Sequence, residues 1–200
     1  GHLYSKGRLF EIHHVSYSVG KVGRYLLHIR LRRQGLPIPG SPFALTVRPG
    51  KANAMNTVAD VPAAGLEGVV GSGPTDGCSL TIQARDQMGN LCEKGGEKVE
   101  NVCKAAGITK EVIDNGNGTY TFRWRSKVSA MVNASIMIAG AHVRGSPVKM
   151  AICSGLPEIA KTEVEVESLK SAVAGQATSL AVTFYDSYDN HTQPGESFAI

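Results

Sequence analysis

Leu80-Thr81-Ile82-Gln83-Ala84-Arg85-Asp86-Gln87-Met88-Gly89-Asn90 returns about 100 residues later as Leu180-Ala181-Val182-Thr183-Phe184-Tyr185-Asp186-Ser187-Tyr188-Asp189-Asn190. In both copies apolar residues alternate with others and then give way to Asp, small residues and Asn, the order of a strand running into a tight turn. A second landmark, Pro39-Gly40-Ser41-Pro42-Phe43, returns as Arg144-Gly145-Ser146-Pro147-Val148 at nearly the same spacing, about 105 residues. Two unrelated landmarks with one period predict a tandem array whose unit is about 100 residues long.

Around these landmarks the hydrophobic period is two. Tyr25, Leu27, Ile29 and Leu31 alternate with His28, Arg30 and Arg32, and Tyr120, Phe122 and Trp124 alternate with Thr121, Arg123 and Arg125. The same alternation groups Phe43 with Leu45 and Val47, Leu80 with Ile82 and Ala84, and Val132 with Ala134, Ile136 and Ile138. Each run has one dry face and one wet face, as a half-buried antiparallel strand requires. Asp114-Asn115-Gly116-Asn117-Gly118 supplies residues that tolerate positive φ between two of the runs. No stretch leaves room for a helix of ordinary length. A unit of about 100 residues with some seven such strands predicts an all-β fold of tandem immunoglobulin-like sandwiches.

Composition agrees with that expectation. The chain has 200 residues, 42% hydrophobic, 19% charged and 6% aromatic, with 23 Gly and 9 Pro. These figures exclude a disordered chain and favour short strands joined by turns. No apolar run approaches the roughly 18 residues of a membrane helix. The first residues, Gly1 to Gly7, lack an initiator Met and the apolar stretch of a signal peptide, so a piece of a longer chain is expected.

The phase of the repeat sets the expected boundaries. Gly-Ser-Pro stands near the end of a unit, followed by a last strand and by Pro49-Gly50 or Ser154-Gly155. Residues 1–50 then form the C-terminal half of one repeat, 51–155 a complete repeat, and 156–200 the N-terminal half of a further one. Net charge is +4 overall, but basic residues exceed acidic ones by about 7 and about 2 in the first two segments and fall short by about 5 in the third. Unlike charges on successive segments make neighbouring repeats of the same chain natural partners.

The ordered series Asp86 to Asn90, Gly95-Gly96, Val112-Ile113-Asp114-Asn115-Gly116-Asn117-Gly118-Thr119-Tyr120 and Ala139-Gly140 to Gly145-Ser146-Pro147 resembles the filamin-type immunoglobulin-like repeat. The resemblance covers the whole middle unit, and both flanking halves agree through Gly23-Arg24-Tyr25 and Ala174-Gly175. It implies a non-enzymatic spacer and interaction module that takes a partner strand beside its third and fourth strands. That places a partner edge at Val99, Asn101 and Cys103 on one strand and Thr109, Glu111 and Ile113 on the next.

Two members of this wider family imply different settings. Gly77-Cys78-Ser79-Leu80, Met88-Gly89-Asn90-Leu91-Cys92 and Leu36 to Phe43 resemble the plant Gamete Expressed 2 proteins, in which filamin-like repeats stand outside the sperm membrane and serve attachment. Sequons at Asn117, Asn133 and Asn190 fit a surface location and its glycosylation. In that setting the partner is a surface protein on another cell. The actin-crosslinking filamins instead imply the cytoplasm, with cytoskeletal proteins and receptor tails as partners. Cys78, Cys92, Cys103 and Cys153 permit disulfides in the first setting and thiols in the second, and they lack the Cys-x-x-Cys spacing of zinc sites.

Other chemistry finds no foothold. His13-His14 and His28 have no Cys or carboxylate at ligand spacing, and Asp186, Asp189 and Asn190 read as a capped turn rather than a calcium loop that needs 6 to 8 oxygens. No Gly-x-Ser-x-Gly elbow occurs, and Gly68 to Gly73 matches no phosphate loop. No catalytic residue, cofactor or metal is expected. The arginines of residues 24–48 lack interleaved aromatics, so nucleic acid is not an expected partner.

Overall fold

The computed structural model of the chain describes residues 2–5, 8–11, 14–171 and 173–195. They divide into two compact units, residues 1–49 and 50–200. Strands and two short 3-10 turns, Ile159–Lys161 and Val166–Leu169, are the regular structure of the described residues. None of their helices is long and apolar enough to cross a membrane.

In the first unit β1 (His2–Ser5) pairs with β2 (Arg8–Glu11), and β3 (Gly23–Leu27) pairs with β4 (Phe43–Val47), both antiparallel. The alternation in the sequence runs on to Arg32, but β3 stops at Leu27. Beyond it Ile29 accepts from Ile38 N and Leu31 accepts from Gly35 N, so the chain turns back through a loose hairpin. Leu26 and Leu31 remain 63% and 52% exposed there.

The second unit contains the sandwich. Its strands are β5 (Leu66–Val69), β6 (Cys78–Gln83), β7 (Val99–Val102), β8 (Thr109–Asp114), β9 (Thr119–Arg125), β10 (Ala130–Ile138), β11 (Ala141–His142) and β12 (Val148–Cys153). One sheet carries β7 beside β10, then β11 and β12 along the other side of β10, and β5 parallel to β12. The other sheet has the order β6-β9-β8. After it β13 (Glu163–Val164), β14 (Val182–Tyr185) and β15 (His191–Thr192) form a small sheet of their own.

The core lies where the alternation puts it. β9 buries Tyr120, Phe122 and Trp124, while Thr121, Arg123 and Arg125 lie on its outer face. Cys78, Leu80 and Ile82 lie opposite them on β6, in the register Cys78↔Trp124, Leu80↔Phe122 and Ile82↔Tyr120. The facing sheet supplies Ala134, Ile136 and Ile138 from β10 and Val148, Met150 and Ile152 from β12. Burying such side chains stabilises by about 1.5–3 kcal/mol each before conformational entropy is set against it. On the outer face Glu111 lies 3.8 Å from Arg123 and 3.5 Å from Arg125, and Thr81 and Thr121 hydroxyls meet at 2.9 Å.

The repeated motifs have repeated geometry. Ser41 and Ser146 each precede a cis proline, and their hydroxyls accept from Ile29 N at 3.0 Å and Ile136 N at 2.8 Å. The two Asp turns agree still more closely. Asp86 Oδ1 accepts from Met88 N and Asn90 N, and its Oδ2 from Gly50 N at 3.0 Å. Asp186 Oδ1 accepts from Tyr188 N and Asn190 N, and its Oδ2 from Gly155 N at 2.8 Å.

Candidate functional site

A sheet edge is a site when its outward backbone groups have no strand to pair with. Among the described strands β7 pairs only with β10 and β8 pairs only with β9, so each ends its sheet at the same side of the sandwich. Which residues address that edge follows from the ladder phase. Ala139 N donates to Lys98 O, which makes Lys98 and then Glu100 and Val102 the residues turned toward β10. Val99 and Asn101 therefore turn their N–H and C=O outward.

On β8 the ladder phase sets Thr109, Glu111 and Ile113 apart from the outward backbone positions. Asn115 N donates to Thr119 O, so Ile113, Glu111 and Thr109 turn their backbone groups toward β9. Lys110 and Val112 hold the outward backbone positions. The side chains follow the same rule: Glu111 points away from the core to Arg123 and Arg125, while Val112 stands beside the buried Phe122 and is itself 37% exposed. Lys110 and Val112 thus hold the outward backbone positions of β8, and Thr109, Glu111 and Ile113 lie on the outer face of that sheet. Cys103 lies one residue past β7 and is buried, with its carbonyl accepting from Lys110 Nζ at 3.0 Å.

Asn101 ties this edge to the core. Its Oδ1 accepts from the Trp124 indole N–H at 2.8 Å, which leaves its Nδ2 buried without a hydrogen-bond partner. Glu97 N, just before β7, donates to the Tyr120 hydroxyl at 3.1 Å. The edge strand is therefore pinned from beneath by two aromatic side chains of β9, and its backbone is held in an extended form ready to pair.

The other marked residues have separate places. Cys78, Cys92 and Cys103 are buried and Cys153 is exposed, and all four are unbridged thiols. Burial, with smaller contributions from Cys153 and Glu67, pushes the Cys78 thiol up to about 11. Burial first, then Asp86 and Glu97, raises Cys92. Both are kept as protonated thiols, poor nucleophiles. Asn117 and Asn133 are exposed. Asn190 is 8% exposed, and its amide donates to Lys127 O and to Asp186, so this arrangement has no room for a glycan on Nδ2.

Burial alone would raise the Asp86 carboxyl, but hydrogen bonds from the Asn90 side chain, Gly50 N, Asn90 N and Met88 N outweigh it and hold the group at about 2. Burial alone would likewise raise the Asp186 carboxyl, but hydrogen bonds from Gly155 N, Asn190 and Tyr188 N outweigh it and lower the group. These carboxylates are spent on backbone amides, which is a structural use. The carboxylate of Asp189 pairs with Lys161 at 2.7 Å. Among the described residues no group of three His, Cys, Asp or Glu side chains is arranged to hold a metal ion.

Residues 58–149 match the Filamin/ABP280 repeat family. Tripartite motif-containing protein 2 of Homo sapiens and of Bos taurus are each 28% identical over 107 residues, a match covering 52% of this chain and 14% of the relative. The chain thus spans about a seventh of the length of these curated relatives. Among solved structures, the Escherichia coli adhesin FdeC is similar with a TM-score of 0.54 and 16% identity, covering 78% of this chain and 48% of that one. The Lin-41 filamin domain is similar at a TM-score of 0.43 and 16% identity, covering 53% of this chain and 100% of that one. The family match falls on the sandwich strands from β5 into β12.

Proposed function

We propose that this repeat docks a protein partner by accepting an extended segment as an added strand along β7, within a chain of tandem repeats that also spaces its binding sites apart. The observation that carries the reading is the outward backbone of Val99 and Asn101 on a strand that, among the described strands, has no neighbour beyond it. Backbone hydrogen bonds to these two residues would supply affinity, and Val112 and Lys110 across the gap would select side chains of the partner. The tandem reading takes residues 1–50 and 156–200 as parts of neighbouring repeats. It is supported by the matching Asp86 and Asp186 turns and by the uncovered Leu26 and Leu31 of the first unit.

The setting we propose is the outer surface of a gamete, where the partner is a surface protein on another cell. Exposed sequons at Asn117 and Asn133 support it. The second reading, a cytoplasmic rod segment that binds cytoskeletal proteins or receptor tails, is favoured by the four unbridged cysteines. Mass measurement of the protein from its native tissue separates them: glycan at Asn117 or Asn133 establishes the first, and unmodified asparagines with four free thiols the second.

Docking is tested with peptides selected on the chain from a random twelve-residue library. Val99→Pro removes one outward N–H and leaves the ladder to β10 intact, a change edge strands tolerate. Peptide affinity is expected to fall at least tenfold, with the melting temperature of the repeat little changed. Undiminished affinity in Val99→Pro contradicts docking at β7.

A further inference from the structure

The end of the sandwich is hydrogen-bonded to the turn that follows β14. The turn between β9 and β10 presents the carbonyl of Lys127 and the amide of Ser129 side by side. Asn190, from the turn between β14 and β15, meets both: its Nδ2 donates to Lys127 O at 2.8 Å and its Oδ1 accepts from Ser129 N at 2.9 Å. A side-chain amide used in this way imitates one rung of a strand ladder. Asn190 is held for the task, because its own N–H and its Nδ2 are fixed by Asp186, which is 0% exposed. The Lys127 ammonium lies 5.7 Å from the centroid of the Tyr188 ring, a cation–π contact from the same turn.

The connection between the two partners is fastened as well. Gly155, two residues past β12, donates its N–H to Asp186 Oδ2 at 2.8 Å, and its carbonyl accepts from Thr192 Oγ1 at 2.6 Å. A linker bonded on both sides at one glycine has little freedom to swivel. Buried polar groups that are fully satisfied specify one geometry strongly, since every alternative leaves some of them unpaired.

We propose that the Lys127–Ser129 turn is a docking surface for the Asp186–Asn190 turn of the following repeat, and that this clasp fixes the angle between the two, so they move as one stiff body. The partner it fits is a turn with a buried Asp followed four residues later by Asn. The proposal rests on reading residues 156–200 as the start of a further repeat, and it is independent of whether β7 accepts a strand. The same head, Asp86 with Asn90 and Gly50, is built at the start of the sandwich.

The test is a distance distribution by pulsed electron-spin resonance on the full chain, with spin labels at Glu93→Cys and Ile159→Cys in a Cys153→Ser background. The parent is expected to give one narrow peak, and Asn190→Ala to widen it at least threefold. Ser129→Pro removes the donated N–H from the other side while leaving the Asp186 turn whole, and it is expected to widen the peak as well. Protection of the Asn190 amide from exchange in Ser129→Pro shows that the second turn is still folded. A broad distribution in the parent, or a peak equally narrow in both variants, overturns the proposal. Peptide binding at β7 does not enter this readout, so failure here and failure of the docking reading are told apart.

Discussion

Trp124→Ala is expected to lower the melting temperature of the repeat by at least about 10 °C, read by circular dichroism. Trp124 is 0% exposed, and its ring stacks with Phe122 at 6.0 Å between centroids. Truncating a buried Trp to Ala costs about 3–5 kcal/mol through lost transfer energy and the cavity left behind. In a domain of this size each kcal/mol moves the midpoint by about 4–8 °C. The indole N–H also occupies Asn101 Oδ1 at 2.8 Å, and Asn101 Nδ2 already lacks a partner, so the variant strands a second buried polar atom on β7. A shift of about 3 °C or less would show that the sheets close over the gap, contrary to the packing described.

Gly118→Ala is expected to destabilise severely while Gly116→Ala, in the same hairpin, costs only about 1 kcal/mol. Both glycines have positive φ, +83° at Gly118 and +75° at Gly116, so both substitutions carry the backbone strain of an L residue in that region. They differ in space. A Cβ on Gly118 would stand 1.9 Å from the carbonyl oxygen of Cys92, whereas a Cβ on Gly116 meets nothing within 4 Å. That carbonyl also accepts from Gln83 Nε2 at 2.9 Å, so moving it disturbs a second strand. Urea denaturation of the two variants checks the contrast, and equal losses would contradict the close approach of the hairpin to the Cys92 segment.

Much of this fold is legible in the alternation. Tyr120, Phe122 and Trp124 had to share a face with Leu80 and Ile82 because strands place every second side chain together, and the register places them so. The Asp-to-Asn turns were legible as turns, but not their reach: nothing in the spacing tells that Asp86 and Asp186 would each grip a glycine more than thirty residues away or that Asn190 would clasp the Lys127–Ser129 turn. The backbone phase of the edge was not legible: Val99 and Asn101 turn their backbone groups outward on β7, and Lys110 and Val112 do so on β8, while Glu111 and Ile113 pair with β9. Side-chain alternation fixes which residues share a face, but which of them pair by backbone depends on where the first ladder bond forms, here between Asn115 and Thr119. β3 ended early because a turn bonded through Leu31 O interrupts the run after Leu27.

The open edge at β7 is tested most directly by amide hydrogen exchange, residue by residue, along Val99–Val102. In the free chain Val99 and Asn101 are expected to exchange at least about 100-fold faster than Glu100 and Val102, whose amides point to β10, and a bound peptide is expected to slow Val99 and Asn101 selectively. Uniform protection across the four residues in the free chain, or a bound peptide that leaves Val99 and Asn101 as fast as before, would contradict docking by strand addition.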